Sequence, residues 1–241
     1  MKNNLNILIT ICARGGSKGI PGKNIKLLNG IALIAYTIQI AERFKLLYSS
    51  DIALSTDDDQ IKEVAASFGL ETTYRRPANL ALDSSGKIET IIDLLLYYED
   101  LNNKKYDYVL DLDVTSPLRT LQDLEDAFNI IKSDEHAYNL FSVNHANRNP
   151  YFNMVEKKDN GYFGLAKTGS FLSRQAAPAV YDMNASFYFF KRFFFDSGLT
   201  TSTTHRSLIY VMPHICFDLD HPIDFEFMEY LLVNNRLDFK F

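Results

Sequence analysis

The sequence predicts a three-layer α/β fold with a mostly parallel central sheet and a small β-rich excursion. Short apolar runs at residues 7–11, 52–54 and 108–112 alternate with segments whose apolar residues fall at helical spacing, the pattern of strands covered by helices on both faces. Each run ends in a polar loop, and in such sheets those loops gather at the carboxyl edge of the strands, where ligands bind. The alternation stops after Val143, and residues 144–191 read as an excursion that carries a hairpin and no helix.

Taken in order, residues 7–11 form the first buried strand, and a glycine-rich loop from Cys12 to Leu27 hands it over to a helix at 33–44. A second unit follows, with a strand at 52–54 and Asp57 or Asp58 starting a helix that runs to residue 66. Residues 71–74 are expected as a third strand. Arg75-Arg76-Pro77 then leads into a polar loop with Asp83-Ser84-Ser85, before a helix at 88–98. The strand at 108–112 is followed by Asp113, Thr115 and Ser116, and a helix at 121–131 and a strand at 138–143 complete the series. Within 151–166, two short strands flank Lys158-Asp159-Asn160-Gly161, where Asn-Gly signals a tight turn. An extended run at 185–191, a strand at 207–212 and a helix at 223–233, its start prepared by Asp220 and Pro222, close the chain. The aromatic cluster at 187–195 suits either the core or a contact with a second copy.

At 241 residues and 46% hydrophobic content, the chain supports one sizeable core, so residues 1–241 are expected as a single domain. A net charge of -5 argues against nucleic acid and against anionic membranes, since both are met by a cationic face. No apolar run nears the roughly 18 residues of a membrane span, and no leader pattern opens the sequence, so a cytoplasmic protein is expected. Cys12 and Cys216 make no disulfide framework and read as small buried side chains.

The opening loop carries the first chemistry. Gly15, Gly16, Gly19 and Gly22 leave backbone amides open to a polyphosphate, and Arg14, Lys18 and Lys23 add positive charge. The spacing is neither that of a Walker loop, because Gly22-Lys23 is followed by Asn24, nor that of a dinucleotide loop, which does not carry cations among its glycines. Asp218 and Asp220 stand two apart in an extended segment, so both are expected on one face, where they suit a magnesium ion that also takes phosphate oxygens. By themselves they also suit a solvated edge and a helix cap. Asp111 and Asp113 share that spacing and are left as a second metal site, an acceptor for sugar hydroxyls, or the polar tip of a strand. The histidines show no ligand spacing, and no serine elbow is present.

These residues form a familiar set. Ala13-Arg14-Gly15-Gly16-Ser17-Lys18-Gly19-Ile20 with Lys23-Asn24, Ser55-Thr56-Asp57, Arg76-Pro77, Thr115-Ser116-Pro117-Leu118-Arg119, Arg174-Gln175 with Pro178 and Tyr181, and Asp218-Leu219-Asp220 closely resemble the acylneuraminate cytidylyltransferases. That family includes CMP-sialic acid synthetases and bacterial relatives acting on other nine-carbon 2-keto sugar acids such as legionaminic acid. The resemblance implies a Rossmann-like nucleotidyltransferase fold, a homodimer built through the excursion, and a Mg2+-dependent reaction in which a nonulosonic acid and CTP give CMP-sugar and pyrophosphate. It further implies that Ala13, Arg14, Gly15, Ser17, Lys18, Lys23, Asn24, Arg76, Asp83, Ser84 and Ser85 hold the nucleotide. Arg14, Lys23 and Asp220 serve the chemistry, and Asp218 and Asp220 hold the metal. Asp113, Thr115, Ser116, Arg174, Gln175, Tyr181 and Asn184 face the sugar.

One departure bears on the substrate. Sialic acid enzymes commonly read Gln-Pro-Thr-Ser-Pro-Leu-Arg where this chain reads Asp113-Val114-Thr115-Ser116-Pro117-Leu118-Arg119. A carboxylate accepts from hydroxyl, amide N–H or amino groups and repels an acetamido carbonyl, which favours legionaminic acid or another modified nonulosonate over N-acetylneuraminate. Two further readings stand beside this one: a cytidylyltransferase for an eight-carbon acid of the Kdo type, and a nucleotide-binding module without turnover.

Overall fold

The computed structural model describes residues 5–17 and 19–240. The chain runs β1 (Ile7–Cys12), β2 (Leu27–Leu28), β3 (Ile31–Ala32), α1 (Leu33–Lys45), β4 (Ser50–Ser55), α2 (Asp59–Ser67) and α3 (Lys87–Leu101). It continues with β5 (Tyr108–Leu112), α4 (Leu121–Ser133), β6 (Asn139–His145), β7 (Val155–Lys157), β8 (Phe163–Leu165), β9 (Tyr181–Lys191), α5 (Arg192–Asp196), β10 (Ser207–Val211) and α6 (Pro222–Val233). The central sheet has six strands in the order β10-β6-β9-β5-β1-β4. All run parallel except β9, which is antiparallel to both neighbours. A mostly parallel α/β fold is therefore what the alternating sequence encodes.

The layering follows from strand geometry. Side chains alternate along a strand, so Ile7, Ile9 and Ile11 of β1 join one apolar cluster with α1 and α4, while Leu8 joins a second with α3. Phe44, Phe128 and Phe189 interlock on the first face, and Phe190, Phe194 and Phe195 on the second. The aromatic cluster at 187–195 thus belongs mainly to the core, since Phe187, Phe189, Phe190, Phe194 and Phe195 are all buried. It offers little surface to a second copy.

Two expectations need correcting. Residues 71–74 form no strand. They pass the sheet edge at β4, but the hydroxyl of Thr72 reaches the Leu54 carbonyl at 3.4 Å and the Arg76 N–H reaches Thr56 O at 2.9 Å. A side chain thereby takes the place of a backbone ladder. The start of α6 is capped by His221 with Asp224 as its capping-box partner, and not by Asp220; the Asp224 carboxylate accepts from the N–H groups of Asp220 and His221 at 3.1 and 2.7 Å. Pro222 takes the first helical position as expected.

Asp123 ties the third layer together. Its buried carboxylate closes the capping box of α4 with Thr120 and accepts from the Tyr210 hydroxyl at 3.0 Å. His214 Nε2 lies 2.8 Å from the same carboxylate. Burial alone raises an acid, but His214 and Thr120 reverse that and hold Asp123 below the usual carboxylate range. For His214, the hydrogen bonds and the Asp123 charge overcome burial and raise the imidazole above its ordinary value. Stability from a depressed acid is lost as pH falls, and stability from a raised imidazole is lost as pH rises through the folded value. Replacing His214→Gln is expected to flatten the loss of stability that the parent shows from about pH 6 upward. Urea unfolding at several pH values measures this, and parallel curves for parent and variant would show that the imidazole is uncharged in the fold.

Candidate active site

β1 ends at Cys12, paired with Ser55 of β4, and Ala13 N–H still donates to Ser55 O at 2.9 Å before the chain turns into the glycine loop. Gly15 N–H donates to Asp57 Oδ1 at 3.0 Å, and a Cβ at Gly15 would collide with Asp58, whose carboxylate caps α2. Glycine is therefore required for close approach here, which the phosphate-cradle reading did not anticipate. Asn24 is buried and donates from Nδ2 to Arg14 O at 2.9 Å, fixing the loop's return.

The far side of the loop closes on a segment from the other end of the chain. Lys23 Nζ donates to Leu219 O at 2.6 Å and lies 3.5 Å from Asp220 Oδ1. At Gly19 an added Cβ would stand 2.5 Å from the Asp220 carbonyl oxygen, so the backbones are in contact. A cavity of about 380 Å³ opens between them, with Arg14, Ser17, Lys23, Asn24, Thr115 and Asp220 in its wall. A smaller one of about 210 Å³ adjoins it; Arg14, Arg76, Asp83 and Asp113 border both, and Leu80, Leu82, Ser85 and Lys87 are among those that border the second alone. Arg14 pairs with Asp83 at 2.7 Å, and buried Arg76 donates to Ser55 Oγ and Ser55 O at 2.9 Å each.

Most of the expected nucleotide residues thus meet around one opening. Ala13 is buried behind the loop, and Ser84 is exposed and borders neither cavity. Lys18 lies outside the described residues. Asp218 and Asp220, expected on one face, border different cavities. Asp220 borders the first cavity, whereas Asp218 borders a different one, of about 540 Å³, beside Asn144 and Phe227. The segment is pinned by one backbone bond, Leu219 N–H to Thr115 O at 2.9 Å, and no ladder imposes strand alternation on it.

Asp218 Oδ1 is buried with no hydrogen-bond partner, and burial, with Asp113 and Asp220 nearby, pushes its carboxyl up to about 6. An orphaned buried acceptor fits a cation. Among the described residues no group of three or more His, Cys, Asp or Glu side chains could hold a metal. A cation here would draw on the two carboxylates and on oxygens of a bound phosphate or water, as magnesium does.

The expected sugar residues are spread more widely. Asp113 and Thr115 border the first cavity; Ser116 is buried behind it, near Cys216 Sγ and Phe217 O. The Asn184 amide is spent internally, accepting from Ser142 Oγ at 2.6 Å and donating to Asn144 Oδ1 at 3.0 Å. Arg174 donates to Ala146 O at 2.5 Å, Gln175 shares its single 3-10 turn, and Tyr181 leans on His145 with ring centres 5.2 Å apart. None of these three borders either cavity within the protomer.

Sequence reasoning missed Lys87. Its Nζ lies 3.0 Å from both Asp111 Oδ2 and Asp113 Oδ2 and 4.5 Å from the Tyr188 ring centre, and the side chain borders the smaller cavity. Thr10 donates to the other Asp111 oxygen, and Thr115 N–H and Oγ1 donate to the other Asp113 oxygen. Burial opposes both charges, but the Lys87 ammonium and Thr115 hold Asp113 below the usual range, and the two aspartates hold Lys87 well above its own. The ammonium occupies the place between the carboxylates that a second metal would need. A signal was available, because a lysine opening a helix opposes the helix dipole and calls for nearby anions.

The sequence matches the cytidylyltransferase family over residues 8–239. Post-translational flagellin modification protein B of Campylobacter coli is 39% identical over 97% of this chain and 98% of its own. CMP-N,N'-diacetyllegionaminic acid synthase of Campylobacter jejuni is 39% identical over 94% of each. In fold, the chain resembles a CMP:2-keto-3-deoxy-manno-octonic acid synthetase complexed with CTP, with a TM-score of 0.68 at 15% identity over 95% of this chain and 99% of that one. It also resembles 4-diphosphocytidyl-2C-methyl-D-erythritol synthase of Anaerococcus prevotii, at 0.62 and 14% over 96% and 100%.

The Lys87 cluster yields a direct test. Lys87→Met leaves two close carboxylates without their cation and is expected to cost about 2–3 kcal/mol in urea unfolding, with part recovered when Asp113→Asn is added. A Lys87→Met protein as stable as the parent would show that the ammonium does not hold the pair.

Proposed function

We propose, given that the chain belongs to the cytidylyltransferase family and is a nucleotidyltransferase, that it joins CTP to a nonulosonic acid of the legionaminic type and releases pyrophosphate. The observation that carries this is the cleft between the glycine loop and the 217–220 segment: Lys23 is held by the Leu219 carbonyl and Asp220 across a cavity bordered by Arg14, Ser17 and Asn24. Arg14, Lys23 and Arg76 give a triphosphate its cationic partners, while Asp83, Asp113 and Asp220 on the same walls leave part of its charge to a bound cation.

In this reading Arg14, Lys23 and Ser17 receive the phosphate oxygens, and their fixed positions favour the charge that builds as pyrophosphate leaves. The cytidine lies toward Arg76, Leu80, Leu82 and Ser85. The anomeric hydroxyl oxygen of the sugar acid attacks the α-phosphorus. The new P–O bond forms as the bond to the bridging oxygen breaks, and pyrophosphate departs with that electron pair. Asp220, an exposed carboxylate at the cavity wall, takes the hydroxyl proton and passes it to water. Asp218 and Asp220 would hold Mg2+, which when bound supplies charge neutralisation at the phosphates. Asp113 still borders the cavity, but Lys87 and Thr115 already engage both its oxygens, so it offers the sugar only its remaining acceptor capacity.

Arg174, Gln175 and Tyr181 lie on the excursion, outside the protomer's own cavities, and Tyr162, Phe163 and Leu172 of that excursion are exposed apolar side chains. This supports a homodimer in which the 144–191 excursion reaches a second copy and brings these residues to its sugar. Two free cysteines and no described helix able to cross a membrane suit the cytoplasm, where CTP is at hand. The likeness to an octonic acid synthetase rests on fold at 15% identity, and a Kdo-type substrate enters as one arm of the test.

Pyrophosphate release from CTP and Mg2+ should appear with legionaminic acid, more weakly with N-acetylneuraminate, and not with Kdo. Silence with every nonulosonic acid tried would remove the reading. Lys23→Ala should lower turnover by about a hundredfold or more at a temperature where circular dichroism shows the variant still folded. Mixing inactive Lys23→Ala with inactive Arg174→Ala protein should restore activity, because a mixed dimer would hold one intact site. No recovery after subunit exchange would place both residues in the same protomer's site.

A further inference from the structure

The segment from Asp113 to Arg119 has two sides. Asp113 and Thr115 face the cleft described above, while Pro117 and Arg119 face a separate cavity of about 720 Å³ between α1 and the chain beyond α6. That volume lies within the range of small-molecule sites. Its walls combine apolar side chains, among them Ile40, Leu231 and Leu237, with the cations Arg43, Arg119 and Lys240, and no acidic residue lines it. Glu229 stands near its rim, where it accepts from Asn29 N–H at 3.2 Å.

Arg119 is the unusual member. It is 3% exposed, and its hydrogen-bond partners are all neutral: the carbonyls of Asp113, Ser116 and Ser186 and the hydroxyls of Ser186 and Thr37. Its Nε has no partner. Burial pushes the guanidinium down to about 10 despite the pull of Asp113. A buried cation without a bonded anion is costly, and an anion in the adjoining cavity would offset that cost. Arg43 and Lys240 are exposed and border the same cavity, so both can reach the same ligand.

We propose that this cavity is an effector site for a small organic anion, with a carboxylate or phosphate head set among Arg43, Arg119 and Lys240 and an apolar body against Ile40, Leu231 and Leu237. Occupation reaches the nucleotide cleft through the shared wall. Arg119 Nη1 holds the carbonyls of Asp113 and Ser116, and the Thr115 carbonyl holds Leu219 N–H between Asp218 and Asp220. A ligand that draws on the guanidinium therefore shifts the segment that both sites share.

The test uses phenyl phosphate and phenylacetate as probes, with benzyl alcohol as the neutral control and inorganic phosphate as the head group alone. Calorimetry should show saturable binding of both aryl anions, weaker binding of phosphate and none of the alcohol. Arg43→Gln, an exposed change on α1 that leaves basal turnover intact, should weaken the aryl anions by about tenfold. Lys23→Ala, in the nucleotide cleft, should leave their binding unchanged. Equal binding of benzyl alcohol, or undiminished binding by Arg43→Gln, would overturn the site, and loss only in Lys23→Ala would reassign the anion to the nucleotide cleft. With the cavity saturated, CTP affinity should change by about fivefold or more, in the parent and not in Arg43→Gln. Unchanged CTP affinity would overturn its role as an effector site. Because binding and not turnover is read, failure here is separable from failure of the proposed reaction.

Discussion

The bond from the Lys23 ammonium to the Leu219 carbonyl is the contact on which the active cleft depends. It joins residues 196 positions apart and brings the first loop of the sheet against the last extended segment before α6. Lys23 opens a single 3-10 turn and Leu219 lies in a segment without strand pairing, so the cleft has no ladder to define its width. Its width is set by the absence of a side chain at Gly19, by one backbone bond from Leu219 to Thr115, and by this ammonium. Lysine suits the task because a flexible stem delivers a compact charge to two oxygens of different kinds, a carbonyl and the Asp220 carboxylate.

The parts legible in the sequence are those where local pattern and tertiary context agree. The strand at Tyr108–Leu112 could be bounded to the residue because an apolar run between polar loops has one plausible burial, and a cap could be narrowed to Asp57 or Asp58 because a cap acts on amides two and three positions away; it is Asp58. Residues 71–74 failed for the opposite reason. Their β-forming composition was real, but whether a ladder forms is decided by Thr72 and by the neighbouring strand, which no window of sequence contains. The aromatic cluster at 187–195 was ambiguous because β9 is buried on both faces, so it lacks the alternation that marks a surface. In the site, the gathering of Arg14, Ser17, Lys23 and Asn24 at one opening was readable. The separation of Asp218 from Asp220 was not, since strand alternation holds only where a partner enforces it.

Charge in the interior is arranged by neutralisation at short range, with two exceptions. Asp111 and Asp113 share Lys87, and Asp123 is answered by His214 and two hydroxyls. These clusters sit where strands end and backbone groups are no longer paired, so the same side chains that balance charge also close helix starts and loop turns. Arg119 is braced by neutral oxygens alone, and Asp218 keeps one oxygen unmet. Such incompletely matched groups mark positions where a fold is built to receive something from outside.

The place of the excursion in the sheet has a consequence for descent. His145 at the end of β6 and Tyr181 at the start of β9 are directly paired, so the chain leaves the sheet and returns to it at one rung. Everything from residue 146 to 180 is, for the sheet, a single long loop, and the entropy of closing a loop grows only slowly with its length. Insertions, deletions and wholesale replacement between those two residues leave every strand in register and the loop from Cys12 to Leu27 untouched. The excursion can then drift among descendants at its own pace, while the sheet and the glycine loop stay fixed.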